Sequence, residues 1–364
     1  MPSIRIIGAG SIGNHLANAA RTRGWDVCLT DKDTAALDRA KTDIYPSRYG
    51  AWDAGIELAS SDDAKDRPAD VIFIGTPPDS HIPLALDALD RVTPKAIVIE
   101  KPLAGPDMIG VQKLKEVTDA KGVFAAVGYN HCLGLNTVAA EKAIQSGMLG
   151  TLQTITAKTR EHWQGIFKAH PWLAGPAASY LGFSSKGGGA TGEHSHAINI
   201  WQHFAHVTGA GRIVEVSATL DWVKAGGCEY DRAMFAAVTT SEGLKGDLIQ
   251  DVVTAPTDKS ARLQGDEGFV EWIVGASPGH DAIVTGKTGA APETTPIAKT
   301  RADDFIAEID HLSAVLDGTI TNSPIELTRG LDTLMVIAAI FRSDAEGRRV
   351  RIEWSKGYVP EAII

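Results

Sequence analysis

Three short stretches of this chain carry residue types that do chemistry. Gly8-Ala9-Gly10-Ser11-Ile12-Gly13 follows directly on the apolar run Ile4-Arg5-Ile6-Ile7, in the order of a strand, a tight turn and a helix start. Gly8 permits the turn, Gly10 has no Cβ to hold a phosphate off, and Gly13 lets the helix pack on the strand. The amides at the helix start, around Ser11 and Ile12, then face an anion. The ligand that suits such a turn is a pyrophosphate, and hence a dinucleotide. In the second stretch, Ile97-Val98-Ile99-Glu100-Lys101-Pro102, an apolar strand ends in an acid, a base and a proline. A lysine at a strand end can reach a substrate hydroxyl near a nicotinamide, although Glu-Lys pairs also serve as solvated surface pairs.

The third stretch is a glycine run, Gly187-Gly188-Gly189, that feeds a helix through Glu193, His196 and Asn199 to Phe204. Those three polar residues recur at i, i+3 and i+6 and are expected on one helix face. A histidine near a helix start, on a polar face, suits proton transfer. Glu193-x-x-His196 could also be half of a carboxylate-bridged metal site, but no metal is expected.

These residues must be positioned by regular elements. Apolar strands at Ile4–Ile7, Trp25–Thr30, Val71–Gly75, Ala96–Glu100 and Val123–Val127 alternate with helical stretches, which predicts a doubly wound parallel sheet covered on both faces. Ala51–Leu58 reads as a short helix or loop at its edge. The second strand runs into Asp31, at the spacing of about 20 residues where an acid bonds the ribose hydroxyls and repels a 2′-phosphate. NAD is therefore expected over NADP. Lys32 beside Asp31 keeps NADP as the alternative. The expected cofactor contacts are Gly8, Gly10, Ser11, Ile12, Gly13, Asp31, Lys32, Thr76, Pro77, His81, Glu100, Lys101 and Asn130.

After residue 128 the texture changes. Strand-like runs at Leu152–Arg160, Ile213–Val223, Arg232–Val238, Gly246–Val253, Ala261–Gln264 and Gly268–Ile273 follow one another mostly without helices between them. They predict a second, α+β domain with a large, mostly antiparallel open sheet. Gly275–Pro296 reads as a long surface loop or irregular hairpin, Asp304–Leu316 and Glu326–Ser343 as helices, and Arg348–Glu353 as a last strand. The predicted division is 1–128 for a dinucleotide-binding Rossmann domain and 129–364 for substrate binding and oligomerisation. Arg160 and His162, at a strand end before an aromatic-rich connection that includes His170-Pro171-Trp172 and Phe183, are candidates for contact with an acidic substrate group. His196 and Asn199 join them.

The chain has 364 residues, 44% hydrophobic and 22% charged, with a formal net charge of −10. That balance suits a globular enzyme and argues against nucleic-acid binding. Cys28, Cys132 and Cys228 form no CxxC or Cys/His pattern, so neither a disulfide framework nor a zinc site is expected. With a strand starting near Met1 and no long apolar run, neither a secretory leader nor a membrane span is expected, and a cytoplasmic location is.

Gly8–Gly13, Gly75-Thr76-Pro77-Pro78 with His81, Glu100-Lys101-Pro102, Gly147-Met148-Leu149-Gly150, Gly187-Gly188-Gly189 with His196, and the late Leu331–Ser343 and Gly347-Arg348-Arg349-Val350 segments occur in one order. That order resembles the Gfo/Idh/MocA family of sugar and inositol oxidoreductases along nearly the whole chain. The resemblance implies hydride transfer between nicotinamide and a carbon bearing a hydroxyl. Lys101 would hydrogen-bond the reacting oxygen, His196 would be the acid/base residue, and the open sheet would form a homodimer or homotetramer. The family often has an aspartate four residues before that histidine, where this chain has Gly192, and an acid three residues after it, where this chain has Asn199. Fewer nearby carboxylates leave an imidazole less basic. Glu193 could replace the lost aspartate, His194 could take part, or Lys101 alone could handle the proton. The resemblance also keeps open an NAD-using glycosidase and a non-catalytic dinucleotide or sugar sensor.

Overall fold

Val71-Ile72-Phe73-Ile74 and Ala96-Ile97-Val98-Ile99 are apolar at every position, as suits strands covered on both faces, and every one of these residues is buried. The structure containing them is a computed structural model that describes residues 1–169 and 172–364. It divides into two compact units. The first comprises Met1–Leu103, Gly110–Asn130 and Arg301–Thr328, and the second comprises Ala104–Ile109, His131–Thr300 and Arg329–Ile364.

In the first unit the strands are β1 (Ser3–Ile7), β2 (Asp26–Asp31), β3 (Ile56–Ser60), β4 (Val71–Ile74), β5 (Ala96–Ile99) and β6 (Phe124–Val127). All pair in parallel, in the order β3-β2-β1-β4-β5-β6. The order reverses between β1 and β4, so their carboxyl ends flank the crevice in which such sheets bind ligands. The helices are α1 (Ser11–Thr22), α2 (Thr34–Arg39), α3 (Tyr45–Tyr49), α4 (Ser61–Ala64), α5 (His81–Arg91) and α6 (Val111–Lys121). Residues 51–55 are the expected loop, while β3 corrects the expectation over Ile56–Leu58. The strand is short, pairs on one side only and is mostly half-buried, so its apolar signal is weak.

Arg301–Thr328 returns to this unit from far along the chain. Its helix α11 (Arg301–Leu316) buries Phe305, Ile309 and Leu312 and packs on α1, with the His15 ring stacked on Phe305 at 4.6 Å between centroids. The Arg23 Nη2 donates to Asp310 at 2.7 Å. Just beyond α11, the Val127 amide donates to the Ile325 carbonyl at 2.9 Å, which protects the open edge of β6.

The second unit begins with α7 (Leu135–Gln145), β7 (Leu152–Arg160), α8 (Gln164–Ala169), α9 (Gly189–Glu193) and α10 (His196–Val207). The strands β8 (Ile213–Ala225), β9 (Cys228–Thr240), β10 (Lys245–Asp251), β11 (Asp258–Gly265), β12 (Gly268–Ser277), β13 (His280–Lys287) and β14 (Glu293–Ala298) follow. Helix α12 (Leu327–Glu346) and β15 (Val350–Arg351) complete it. The sheet has nine strands, β14-β13-β12-β11-β7-β10-β9-β8-β15, antiparallel except for β7 with β10. Helices α7, α9 and α10 pack on it, and β9 alternates buried with exposed residues, the pattern of a sheet with one covered face.

Two expectations are sharpened or changed here. Of the loop and the irregular hairpin expected for Gly275–Pro296, the hairpin is present: β12 and β13 meet in a tight turn at Pro278-Gly279 with a register shift between Ile273 and Ser277, and a further strand, β14, pairs with β13. Pro296 sits in β14 at the sheet edge, where a missing amide costs no ladder bond. The single helix expected from the glycine run to Phe204 is two helices, α9 and α10, parted at His194-Ser195.

Candidate active site

The glycine turn closes the first unit's sheet at the carboxyl end of β1. Gly8 has φ +117°, and a Cβ there would lie 2.6 Å from the Gly75 carbonyl oxygen. A Cβ on Gly13 would lie 2.0 Å from the Gly8 oxygen. Both glycines are therefore demanded by the packing of the chain itself. Gly10 differs, because a Cβ there meets nothing within 4 Å; the space above it is open, as the approach of a pyrophosphate requires. Asn14 ties the turn down, its Nδ2 donating to the carbonyls of Ala9 and Gly10 at 3.0 and 2.8 Å. One oxygen of Asp31 accepts from the Ala9 amide at 2.9 Å and the other from the Asp33 amide at 2.9 Å, which fixes the acid beside the turn. Lys32 is exposed.

Arg48 of α3 was not singled out by the sequence. Its guanidinium donates to the Ser11 carbonyl at 3.0 Å and the Ser11 hydroxyl at 2.8 Å, which brings a cation to the first turn of α1. That turn already attracts anions through its free amides. Nothing in the spacing of Tyr45-Pro46-Ser47-Arg48-Tyr49 announces this contact, which α3 makes by packing near α1.

At the next strand ends, the Thr76 hydroxyl bonds the Ser80 hydroxyl at 2.7 Å. His81 is fully buried, with Nε2 2.7 Å from the Thr76 oxygen and Nδ1 3.0 Å from the Pro102 oxygen. Burial pushes its pKa down to about 4 against these carbonyl contacts; the neutral ring donates its single N–H to one of the two carbonyls and packs between the turn after β4 and the turn after β5. Glu100 lies over Gly128, where a Cβ would fall 2.4 Å from Glu100 Oε2. Lys101 follows at the carboxyl end of β5 and is partly exposed.

Behind this strand end stands Glu308 of α11, 1% exposed, with Oε1 lacking any hydrogen-bond partner. Burial first, and the charge of Glu100 second, push its pKa up to about 8, against a hydrogen bond from the Asn130 side chain. Glu308 is thus an uncharged acid at neutral pH, and Asn130 spends its amide on it. A signal for Glu308 was present, since Phe305, Glu308, Ile309 and Leu312 fall at i, i+3, i+4 and i+7, an acid inside an apolar stripe.

In the second unit a buried carboxylate organises the glycine run. Asp231 accepts from the Ser184 hydroxyl at 2.6 Å and from both the amide and the hydroxyl of Thr191 at 2.7 Å. Its burial raises its pKa to about 6 against those bonds. Gly189, at φ +73°, has no room for a Cβ, which would fall 2.0 Å from Asp231 Oδ1. The chain then turns into α10, whose first residue is His196. The His196 ring stacks on His131, with centroids 4.0 Å apart and planes at 23°. His131 lies against Trp272 at 5.8 Å, and its carbonyl accepts from Thr137 at 2.6 Å. His131 carried no signal in the sequence.

The other predicted residues are placed as follows. Glu193 ends α9, not the helix of His196, and accepts from the Tyr180 hydroxyl at 2.8 Å. Asn199 is buried in α10; its oxygen accepts from Cys132 Sγ at 2.9 Å and its nitrogen donates to Thr333 Oγ1 at 3.1 Å. Arg160 pairs with Asp251 at 2.6 Å. Burial works against the Asp251 charge, but Arg160, Thr254 and two backbone amides outweigh it and hold its pKa below the ordinary value. The His162 Nδ1 accepts from the Gln164 amide at 3.0 Å at the start of α8. His170 and Pro171 lie outside the described residues, while Trp172 is exposed. No helix among the described residues is long and apolar enough to cross a membrane.

A glycine turn at the switch point of a parallel sheet, with an acid fixed beside it and a lysine at a neighbouring strand end, defines an NAD-binding oxidoreductase. The match to known families agrees. The family described as "oxidoreductase family, NAD-binding Rossmann fold" matches residues 3–129, and the Gfo/Idh/MocA C-terminal domain matches residues 137–271. The chain belongs to the Gfo/Idh/MocA family of NAD(P)-dependent oxidoreductases. Among curated proteins none matches the sequence.

Solved structures share the fold across 96% of the chain. They include the WlbA dehydrogenase of Bordetella pertussis in complex with NADH and UDP-GlcNAcA, at 20% identity, 98% of that chain and TM-score 0.70. A levoglucosan dehydrogenase in complex with NADH is similar at 18% identity, 98% of that chain and TM-score 0.76. An aldose-aldose oxidoreductase of Caulobacter crescentus is similar at 19% identity, 99% of that chain and TM-score 0.74.

Proposed function

We propose that the chain reversibly oxidises a secondary alcohol of a sugar or sugar derivative with NAD. The observation that carries this is Lys101 at the carboxyl end of β5, next in the sheet to β4 and its Thr76-Pro77-Pro78 turn. When bound, NAD supplies the acceptor for the hydrogen and electron pair leaving the alcohol carbon. Gly10, the amides of Ser11 and Ile12, and Asp31 hold its pyrophosphate and ribose. Lys101 donates to the substrate oxygen and stabilises the negative charge that builds there as the hydroxyl proton leaves. His196 takes that proton and passes it to water. Glu193, held by Tyr180, orients the histidine segment. Asn199, committed to Cys132 and Thr333, fixes α10. The Arg160 guanidinium, partly exposed, and His162 receive an acidic substituent if the sugar carries one.

A sugar substrate is supported by the similar folds that act on levoglucosan and aldoses or hold UDP-GlcNAcA. The same proposal has the nine-stranded sheet pair copies of the chain through exposed apolar residues such as Phe235, 49% exposed, in the cytoplasm. Absorbance of NADH with a panel of aldoses, uronates, amino sugars and inositols tests the reaction. Lys101→Ala and His196→Ala should each lower kcat by roughly 100-fold or more. Full turnover in Lys101→Ala refutes the role of that residue. Tight NAD binding with no reduction by any sugar would favour a sensor, and glycoside cleavage without net NADH a glycosidase.

A further inference from the structure

Successive residues of a strand point to opposite faces, and β1 carries Ile4 and Ile6 on one face and Arg5 with Ile7 on the other. Arg5 is 2% exposed. Its Nη1 donates to the carbonyl oxygens of Ala64 and Lys65, at 2.7 Å for Lys65, where α4 ends. Nε is buried without any partner, and among the described residues Nη2 has none either. These two nitrogens form the parallel fork with which arginine grips a carboxylate. Buried charges are normally paired, yet no carboxylate hydrogen-bonds this guanidinium.

A cavity of about 200 Å³ lies beside Arg5. Its walls include Ile7 of β1, Ala64 and Lys65 at α4, and Leu84 and Ala88 of α5. Arg91, Asp62 and Asp87 also line it. Asp87 is tied to Arg91 at 3.0 Å and Arg91 also pairs with Asp66 at 3.2 Å, so Arg91 is neutralised by its own carboxylates and no carboxylate among the described residues is left bonded to Arg5. No residue of the Gly8–Gly13 turn lines the cavity. Helix α5 runs back along the sheet from the strand carboxyl ends, so Asp87 and Arg91 lie toward the amino ends, while Ile7 and Thr30, beneath the turn, close the other end of the cavity.

We infer that this cavity binds a small carboxylate monoanion, gripped through the Nε and Nη2 fork of Arg5, with a short apolar tail against Ile7, Leu84 and Ala88. The two carboxylates in the wall disfavour a dianion such as phosphate, and the fork matches a planar pair of oxygens.

The test uses the full chain labelled with 15N, following the Arg5 Nε–H resonance as propionate is added at constant ionic strength. A saturable shift is expected, with Kd on the order of 1 mM for so small a ligand, unchanged when NAD is present. Acetate should act more weakly, and phosphate and chloride should give no saturable shift. Ala88→Phe, which fills the cavity and leaves Arg5 in place, should abolish the shift while the resonance stays visible. Arg5→Lys, followed by thermal stabilisation with propionate, should weaken binding about tenfold or more, because it keeps the charge and loses the fork. The inference is overturned if no carboxylate gives a saturable shift, in which case Arg5 is completed by water alone. Equal shifts with phosphate or chloride, or an unchanged Kd in Ala88→Phe, overturn it as well.

Discussion

Replacing Glu308 by glutamine isolates the cost of a buried acid. The ordinary value for this carboxyl is 4.5, and burial with the Glu100 charge raises it to about 8 in the fold. Because the folded value is raised, the contribution to stability is fully present below pH 4.5. It falls as pH rises and levels off above about pH 8. At about 1.4 kcal/mol per pH unit, this amounts to about 3 kcal/mol lost between pH 4.5 and 7, approaching about 5 kcal/mol above pH 8. The glutamine keeps a neutral amide for Asn130 and does not titrate. The stability difference between the Glu308→Gln variant and the parent should therefore grow in favour of the variant by those amounts. Urea unfolding of both proteins across this pH range, followed by a probe in the first unit, measures it. A difference independent of pH would mean that Glu308 is ionised in the fold or reached by water, and would refute the buried neutral acid.

Gly10 and Gly13 should separate function from folding. Gly10→Ala should unfold at the parent temperature yet bind NAD at least about tenfold more weakly, because its Cβ enters only the open space, whereas Gly13→Ala should lose about 2–3 kcal/mol of stability by overpacking against the Gly8 oxygen; calorimetry on both variants decides. Arg48→Ala should raise the Kd for NAD and ADP-ribose about tenfold, or about 1.4 kcal/mol, and leave that for adenosine unchanged; an equal loss for all three would deny a phosphate contact. Asp31→Ala should narrow the preference for NAD over NADP, and titration of both cofactors with an unchanged ratio would count against the ribose contact.

The glycine turn, Asp31 and the Glu100-Lys101-Pro102 strand end were legible in the chain because their chemistry is local. A turn that needs φ above zero, an acid at the end of the next strand and an apolar run that stops at a base each declare themselves within a few residues. The parallel and antiparallel sheets were legible for a related reason, since the spacing of apolar residues records which faces are covered. Weak or one-sided elements escaped: β3 and β14 pair along one edge only, and a break of two residues at His194-Ser195 placed Glu193 and His196 on separate helices.

Tertiary structure alone decided which polar groups lost their water and what they met. Glu308 reaches Asn130 and the neighbourhood of Glu100 only because α11 returns to the first unit, and His131 meets His196 only because the second unit folds them together. Arg48 reaches Ser11, and Asp231 grips the glycine run, across gaps in sequence that no local pattern spans. Burial and partner choice depend on packing between distant segments, so protonation states and positioning contacts are set by the fold, while the residue types able to do the chemistry were already written along the chain.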